Sequence, residues 1–113
     1  MRKVCSVNLE KGLPTVDEAV RDMVNKLGTY KRMGYRSLIL IHGWGSSGVG
    51  GGIRNGVRKK LDERSLSGLV HRHCGGEEWH TYKKEFVDYC NQLKQYEQEI
   101  AGNPGVTVVL LKS

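Results

Sequence analysis

The stretch SLILIHGWGSSGVGGGIRNGV, residues Ser37–Val57, joins a run of apolar residues to a glycine-rich turn and then to a segment with helical spacing. Leu38–Ile41 is apolar without interruption, which is typical of a strand that is covered on both faces of its sheet. After the glycines, apolar side chains recur at every fourth residue. The stretch therefore predicts a strand, a turn over 43–52 and a helix over about 53–62.

The sequence on either side of this stretch predicts an alternation of strands and helices. Thr15 and Glu18 have the spacing of a capping box, which predicts the start of a helix that ends near Gly34. The other predicted elements are strands at Val4–Leu9, Leu66–Val70 and Val106–Leu111, and a third helix that runs from Trp79 to Ile100. This order predicts an α/β fold with a mixed or parallel sheet.

The glycine turn contains Gly43–Gly48, which matches the dinucleotide-binding pattern G-x-G-x-x-G. A dinucleotide site usually follows the first strand, and it needs an acidic residue at the end of the next strand. Here a strand and a helix come first, and the next predicted strand ends in Val70–His73, which contains no acid. No Lys-Ser or Lys-Thr follows the glycines, so a P-loop is excluded as well.

The same turn is nevertheless a suitable place for a phosphate group. Closely spaced glycines let the backbone approach a ligand, and the start of a helix offers free N–H groups and a positive dipole end. His42 ends the strand, and Arg54, Arg58 and Lys59 lie on the first turns of the helix. We predict that these groups contact a phosphodiester backbone; the alternative is a flexible connector with solvated basic residues.

Composition favours a polyanionic partner. The 113 residues carry a formal net charge of +6, which points to nucleic acid first, although ordinary solubilising charge is the alternative. No apolar run approaches the ~20 residues of a membrane span, and the N-terminus lacks the apolar core of a secretory signal. We expect no membrane partner and a cytoplasmic location. The odd number of cysteines predicts reduced thiols rather than a disulfide framework.

Three local patterns, in order, resemble the Smr (small MutS-related) domain family. The family's Leu-Asp-x-His-Gly-like strand and Thr-x-x-Glu-Ala helix start resemble Val7–Gly12 and Leu13–Ala19. Its apolar strand with His-Gly-x-Gly resembles Ile39–Gly45, and its closing Gly-x-Thr-x-Val strand resembles Gly105–Val109. The resemblance covers most of a single domain spanning 1–113; about 75–103 looks like an inserted helical segment.

The resemblance implies a fold like the C-terminal domain of bacterial translation initiation factor three. That fold is a two-layer sandwich of a four-stranded mixed sheet and two packed helices, here with an inserted third helix. The resemblance also implies binding to DNA or RNA and, in many members, an endonuclease that cleaves phosphodiester bonds, with a role in DNA repair or recombination. We expect a monomer or a weak homodimer, and participation of a divalent cation is left open.

The chain departs from the family at the positions that matter for catalysis. The acidic position of the first motif is Asn8, and the histidine position is Glu10. An amide cannot act as a base, whereas Glu10 would supply a displaced carboxylate. The candidate catalytic residues are therefore His42 and Glu10. The candidate nucleic-acid contacts are Lys11, Gly43, Trp44, Gly45, Ser46, Arg54, Arg58 and Lys59, with Trp44 either stacking on a base or anchoring the loop.

Two other functions remain open from the sequence. The chain is either a catalytically inactive module that binds nucleic acid in the same cleft, or a protein-interaction module that uses the inserted helix. The apolar seam of that helix, Tyr82–Ile100, has a spacing near 3.5 residues and either packs on the sheet or pairs with another chain. His71, His73 and Cys74 lack a zinc-ligand spacing, so we predict no metal site.

Overall fold

The computed structural model of the chain describes residues 2–43 and 49–113. Within these residues the chain forms a four-stranded mixed sheet with helices on both faces, which confirms the predicted α/β fold class. The strand order across the sheet is β1-β2-β4-β3. The elements are β1 (Val4–Asn8), α1 (Val16–Arg32), β2 (Ser37–Ile41), α2 (Val49–Leu61), β3 (Val70–Gly75), α3 (Trp79–Tyr89), α4 (Glu97–Ile100) and β4 (Val106–Leu111).

The first helix returns the chain so that β1 and β2 lie parallel. Its start is the predicted capping box: the Glu18 amide donates to Thr15 Oγ1 at 3.1 Å, and the Thr15 amide donates to Glu18 Oε1 at 2.8 Å. β1 and β2 then pair in parallel, with Val4 opposite Ser37. The carboxyl ends of β1 and β2 therefore meet at the same edge of the sheet.

The remaining strands bring further chain ends to that edge. β4 is antiparallel to both β2 and β3, so β3 runs in the same direction as β1 and β2. We call the resulting boundary the carboxyl edge: it consists of the ends of β1, β2 and β3 together with the start of β4. Ligands of open α/β sheets bind at this kind of edge.

One face of the sheet is covered by α1 and α2. Leu38 and Leu40 of β2 point towards this layer, where they join Met23 and Leu27 of α1 and Val57 of α2 in one buried cluster. These side chains are at most 1% exposed. The two packed helices that the sequence predicts are thus confirmed. Two of the four apolar residues of β2, Leu38 and Leu40, belong to the core between these helices and the sheet.

The other face of the sheet is covered by the segment between β3 and β4. Trp79 and Phe86 of α3, Leu93, and Ile100 of α4 are fully buried against Ile39 of β2. This segment adds a further layer to the two-layer arrangement. It explains why β2 and β4 are apolar on both of their faces, since each face packs on a different helical layer.

The third helix is shorter than predicted, and the expectation of one helix to Ile100 is wrong. α3 ends at Tyr89, and Cys90 is extended, with φ −138° and ψ 96°. Asn91–Tyr96 then forms a 3-10 helix before α4 begins. Phe86, Leu93 and Ile100 of the predicted seam are buried against the sheet, but the spacing missed the buried Val87 and the bend at Cys90.

The predicted strand Leu66–Val70 is also wrong in position. Arg64–Leu66 is a 3-10 turn, and β3 begins only at Val70 and runs to Gly75. β3 lies at the border of the sheet, and its pairing with β4 shifts register between Val70 and Arg72. Because its outward-facing residues are polar, the strand does not show the apolar pattern from which strands are predicted. In addition, α2 begins at Val49, earlier than the sequence predicted.

Candidate nucleic-acid interface

A buried hydrogen-bond network occupies the carboxyl edge. His42 directly follows β2 and is fully buried. Its Nε2 lies 2.7 Å from Thr107 Oγ1 on β4, and its Nδ1 lies 2.8 Å from the carbonyl oxygen of Gly43. Arg58 of α2 donates from Nε to the same Thr107 oxygen at 3.0 Å. Because a carbonyl can only accept, Nδ1 carries the proton, and Nε2 accepts from the Thr107 hydroxyl.

The protonation state of His42 follows from its surroundings. Burial lowers the pKa of His42 to about 4. The hydrogen bond to the Gly43 carbonyl raises this pKa, whereas the positive charges of Arg58 and Arg54 lower it. The imidazole is therefore neutral at pH 7, with both nitrogens engaged inside the protein. A buried base with this pKa is weak, so the geometry fits a positioning role better than proton transfer.

Arg58 is engaged by its own chain. Its NH1 and NH2 groups donate to the two carboxylate oxygens of Glu77 at 2.7 and 2.9 Å, and NH2 also donates to the Val106 carbonyl at 3.2 Å. Hydrogen bonds from Arg58 lower the pKa of Glu77, which is thus ionised at neutral pH. A phosphate contact by Arg58 stays a prediction, and the phosphate would compete with Glu77 for the guanidinium group.

The sequence did not single out Glu77 or Thr107 as site residues. Thr107 stands within the closing Gly-x-Thr-x-Val pattern, which was a usable signal for its place beside His42. Glu77 lies 19 residues after Arg58, near the start of the predicted inserted segment, and no spacing rule connects the two. Its role follows only from the folded arrangement of β3 beside β4.

The end of β1 brings Glu10 against Gly43. Gly43 has a φ of +66°, and a methyl group at this position would stand 2.9 Å from the Glu10 carboxyl carbon. Glu10 itself is exposed, and its amide donates to Asn8 Oδ1 at 2.9 Å. The Asn8 side chain thus shapes the turn that presents Glu10. The two candidate catalytic residues, His42 and Glu10, therefore lie at neighbouring strand ends.

We expect Gly43→Ala and Gly12→Ala to destabilise the protein by similar amounts, within about 0.5 kcal/mol of each other. Both glycines have positive φ, but a methyl group at Gly12 meets nothing within 4 Å, so the left-handed conformation costs both variants a similar amount. A methyl group at Gly43 also meets the Glu10 carboxylate, but this group ends a flexible, exposed side chain that can turn into solvent, so the contact adds little. Urea denaturation measures both variants. A clearly larger loss for Gly43→Ala that disappears when Glu10→Ala is added would show that the Glu10 carboxylate is fixed against Gly43.

The backbone amides of the glycine turn are only partly described. The amides of His42 and Gly43 both donate to the Gly105 carbonyl at 3.0 Å, so these two are engaged within the protein. Trp44, Gly45 and Ser46 lie outside the described residues. The expected amide contacts to phosphate therefore remain a prediction for the part of the turn that follows Gly43.

The four basic residues that were predicted to contact nucleic acid lie in different places on the structure. Arg54 and Arg58 share the face of α2 that borders the carboxyl edge, where the charges of both act on His42 and Glu77. Arg54 Nε is buried and has no hydrogen-bond partner within the described part of the chain. Lys59 instead lines a groove of about 530 Å³ between α1 and α2. Lys11 lines a smaller depression of about 290 Å³ beside the start of α1.

Other reactive groups do not add to this edge. Across residues 2–43 and 49–113, no group of three or more His, Cys, Asp or Glu side chains is arranged to hold a metal ion. The three cysteines are free thiols. Burial raises the pKa of Cys74 to about 12 and also raises that of Cys90, so neither is a ready nucleophile. No helix of the described residues has the length and apolar character needed to cross a membrane.

Comparison with known proteins agrees with this architecture. The structure is similar to the crystal structure of the Smr domain of Thermus thermophilus MutS2, with a TM-score of 0.60 and 26% sequence identity. The superposition covers 96% of this chain and 98% of that chain. No family model matches the sequence, and no curated protein matches it either. Over nearly its whole length, the chain therefore has an Smr-like fold.

Proposed function

We propose that this chain is a divergent member of the Smr family that binds nucleic acid at the carboxyl edge of its sheet. Charge distribution carries this proposal. Residues 1–75 contain fourteen basic and six acidic side chains, whereas 76–113 contain four basic and six acidic ones. α2 has four basic residues and no acidic one, and it borders the edge. A helix with this excess of positive charge at the edge attracts a sugar–phosphate backbone.

In this function His42 organises the interface rather than taking a proton. It ties the end of β2 to Thr107, and Thr107 in turn accepts from Arg58. The ring is fully buried and has no free nitrogen. Binding without His42-dependent cleavage is therefore the function that the geometry supports best.

Phosphodiester cleavage is the second candidate, and one observation favours it. The exposed Glu10 carboxylate lies beside Gly43, at the same edge as Arg54. A carboxylate there would accept a proton from a water molecule that attacks a phosphate held by arginine. A role in DNA repair or recombination depends on this second candidate.

Affinity for nucleic acid should fall steeply with salt. With two to four phosphate contacts, a plot of the logarithm of the association constant against the logarithm of the salt concentration should have a slope of about −2 to −3.5 on duplex DNA. Each contact contributes to the slope because it releases counterions. Between about 50 and 200 mM salt this corresponds to a loss of roughly 15- to 130-fold in affinity. Fluorescence anisotropy with labelled single-stranded, duplex, nicked and branched DNA and with single-stranded RNA measures the slopes and separates the substrates. No binding to any of them at low salt would refute the proposed function.

The same substrates separate binding from cleavage. We expect intact strands after incubation with the wild-type protein, both with Mg²⁺ and with EDTA. Strand cutting that disappears in Glu10→Gln and persists in His42→Gln would establish the second candidate instead. Cutting that disappears in His42→Gln, provided that this variant is folded, would show that His42 takes part in the chemistry.

A further inference from the structure

We infer that Glu77 occupies the phosphate-binding side of Arg58 in the free protein and is displaced when a nucleic-acid backbone binds. This inference rests on the proposed function, and it concerns how that same site is regulated. The carboxylate engages NH1 and NH2 of Arg58 in a two-pronged contact, at 2.7 and 2.9 Å. A phosphate group engages the same guanidinium fork in the same way.

Arg58 has two kinds of partner. Thr107, fully buried, and the Val106 carbonyl hold Nε and NH2 from the inside of the sheet edge. Glu77 holds the fork from the outside, and its side chain is 36% exposed against 23% for Arg58. The inner contacts can therefore keep Arg58 in place while the outer carboxylate leaves. A partly exposed ion pair contributes only modestly to stability, so replacing the carboxylate by a phosphate costs little free energy.

The surroundings of the pair are shaped for this close contact. A methyl group at position 75 would stand 2.5 Å from Arg58 NH2 and would also meet the Glu77 carboxylate, so glycine leaves room for the pair. Arg54 lies close enough for its charge to lower the pKa of Glu77 as well. Glu77 thus lies near two positive side chains of α2. A phosphate that replaced the Glu77 carboxylate would be attracted by both of them.

Glu77→Gln should tighten binding to single-stranded DNA and RNA. Removing the competing charge frees Arg58 to contact one more phosphate. The magnitude of the salt slope should then rise by about 0.7, and the affinity near 100 mM salt should rise roughly five- to tenfold. The control is Glu85→Gln, which makes the same change of charge and releases Arg72 from a more exposed ion pair at 3.2 Å. This control should change affinity by about twofold or less, because surface charges at a distance are screened.

A second variant separates loss of contact from loss of charge. Glu77→Asp keeps the net charge but shortens the side chain, so it weakens the two-pronged contact and should give an intermediate gain. It also keeps the test decisive if Glu77→Gln does not fold, which thermal unfolding monitors.

Equal affinities for wild-type and both Glu77 variants, or weaker binding by them, would overturn the inference alone. If neither wild-type nor Glu77→Gln protein binds any polymer, the proposed function is refuted and the inference with it.

Discussion

Arg54→Glu lowers the affinity for single-stranded DNA and RNA by roughly 30- to 100-fold near 100 mM salt, because it removes one phosphate contact and adds a repulsive charge. Arg54 is the arginine at the carboxyl edge whose buried Nε has no partner in the described part of the chain, whereas Arg58 is already paired with Glu77. The variant should also reduce the salt slope by about 0.7–0.9. Fluorescence anisotropy at several salt concentrations measures both quantities.

Lys112→Glu is the matched control for this variant. It produces the same change in net charge, but Lys112 is exposed and follows β4 at the opposite end of the sheet, where its amide donates to Leu69. Its affinity should stay within about threefold of wild type, since the distance exceeds the screening length. Equal losses for the two variants would mean that net charge, and not the carboxyl edge, governs binding. Thermal unfolding confirms that both variants are folded.

The stability of the protein should fall by roughly 2–2.5 kcal/mol between pH 7 and pH 4.5 because of His42 alone. Burial lowers the pKa of His42 from 6.5 to about 4 in the folded chain. Below pH 6.5 the unfolded chain therefore binds a proton that the folded chain does not, and stability is lost as the pH falls towards 4. Each pKa unit corresponds to about 1.4 kcal/mol.

His42→Gln isolates this contribution, because glutamine does not titrate but can still donate and accept a hydrogen bond. Urea denaturation at pH 7 and pH 4.5 should show a much smaller pH dependence for the variant, although its stability at pH 7 is lower. The carboxylates with lowered pKa values, such as Glu77 and Glu18, lose their contributions mainly below pH 4.5. The same pH dependence in both proteins would show that His42 is not held neutral by burial.

Local patterns in the sequence were sufficient for most of the fold. The capping box at Thr15 and the apolar run Leu38–Ile41 each depend on neighbouring residues, and both are present as predicted. The extent of the third helix and the position of β3 were not predicted correctly. Cys90 interrupts an otherwise helical spacing, and Val70–Gly75 is a polar border strand whose pairing with β4 comes from tertiary contacts.

The site was predicted less well, because it depends on contacts between distant segments. Sequence placed His42 and Arg58 near the same turn, and the structure brings them together through Thr107. The burial of His42 and the pairing of Arg58 with Glu77 depend on how β4 and the end of β3 flank β2, which no local pattern encodes. Predicted roles in binding and catalysis therefore need the experiments above.

The most direct test of the proposed interface is a nuclear magnetic resonance titration of the ¹⁵N-labelled protein with a single-stranded DNA oligonucleotide. We expect the largest amide shifts at the carboxyl edge, in His42 and Gly43, the first turns of α2, Gly75–Glu77 and Gly105–Thr107. Shifts concentrated instead on α3 and α4, or absent at a concentration where anisotropy reports binding, would contradict the account.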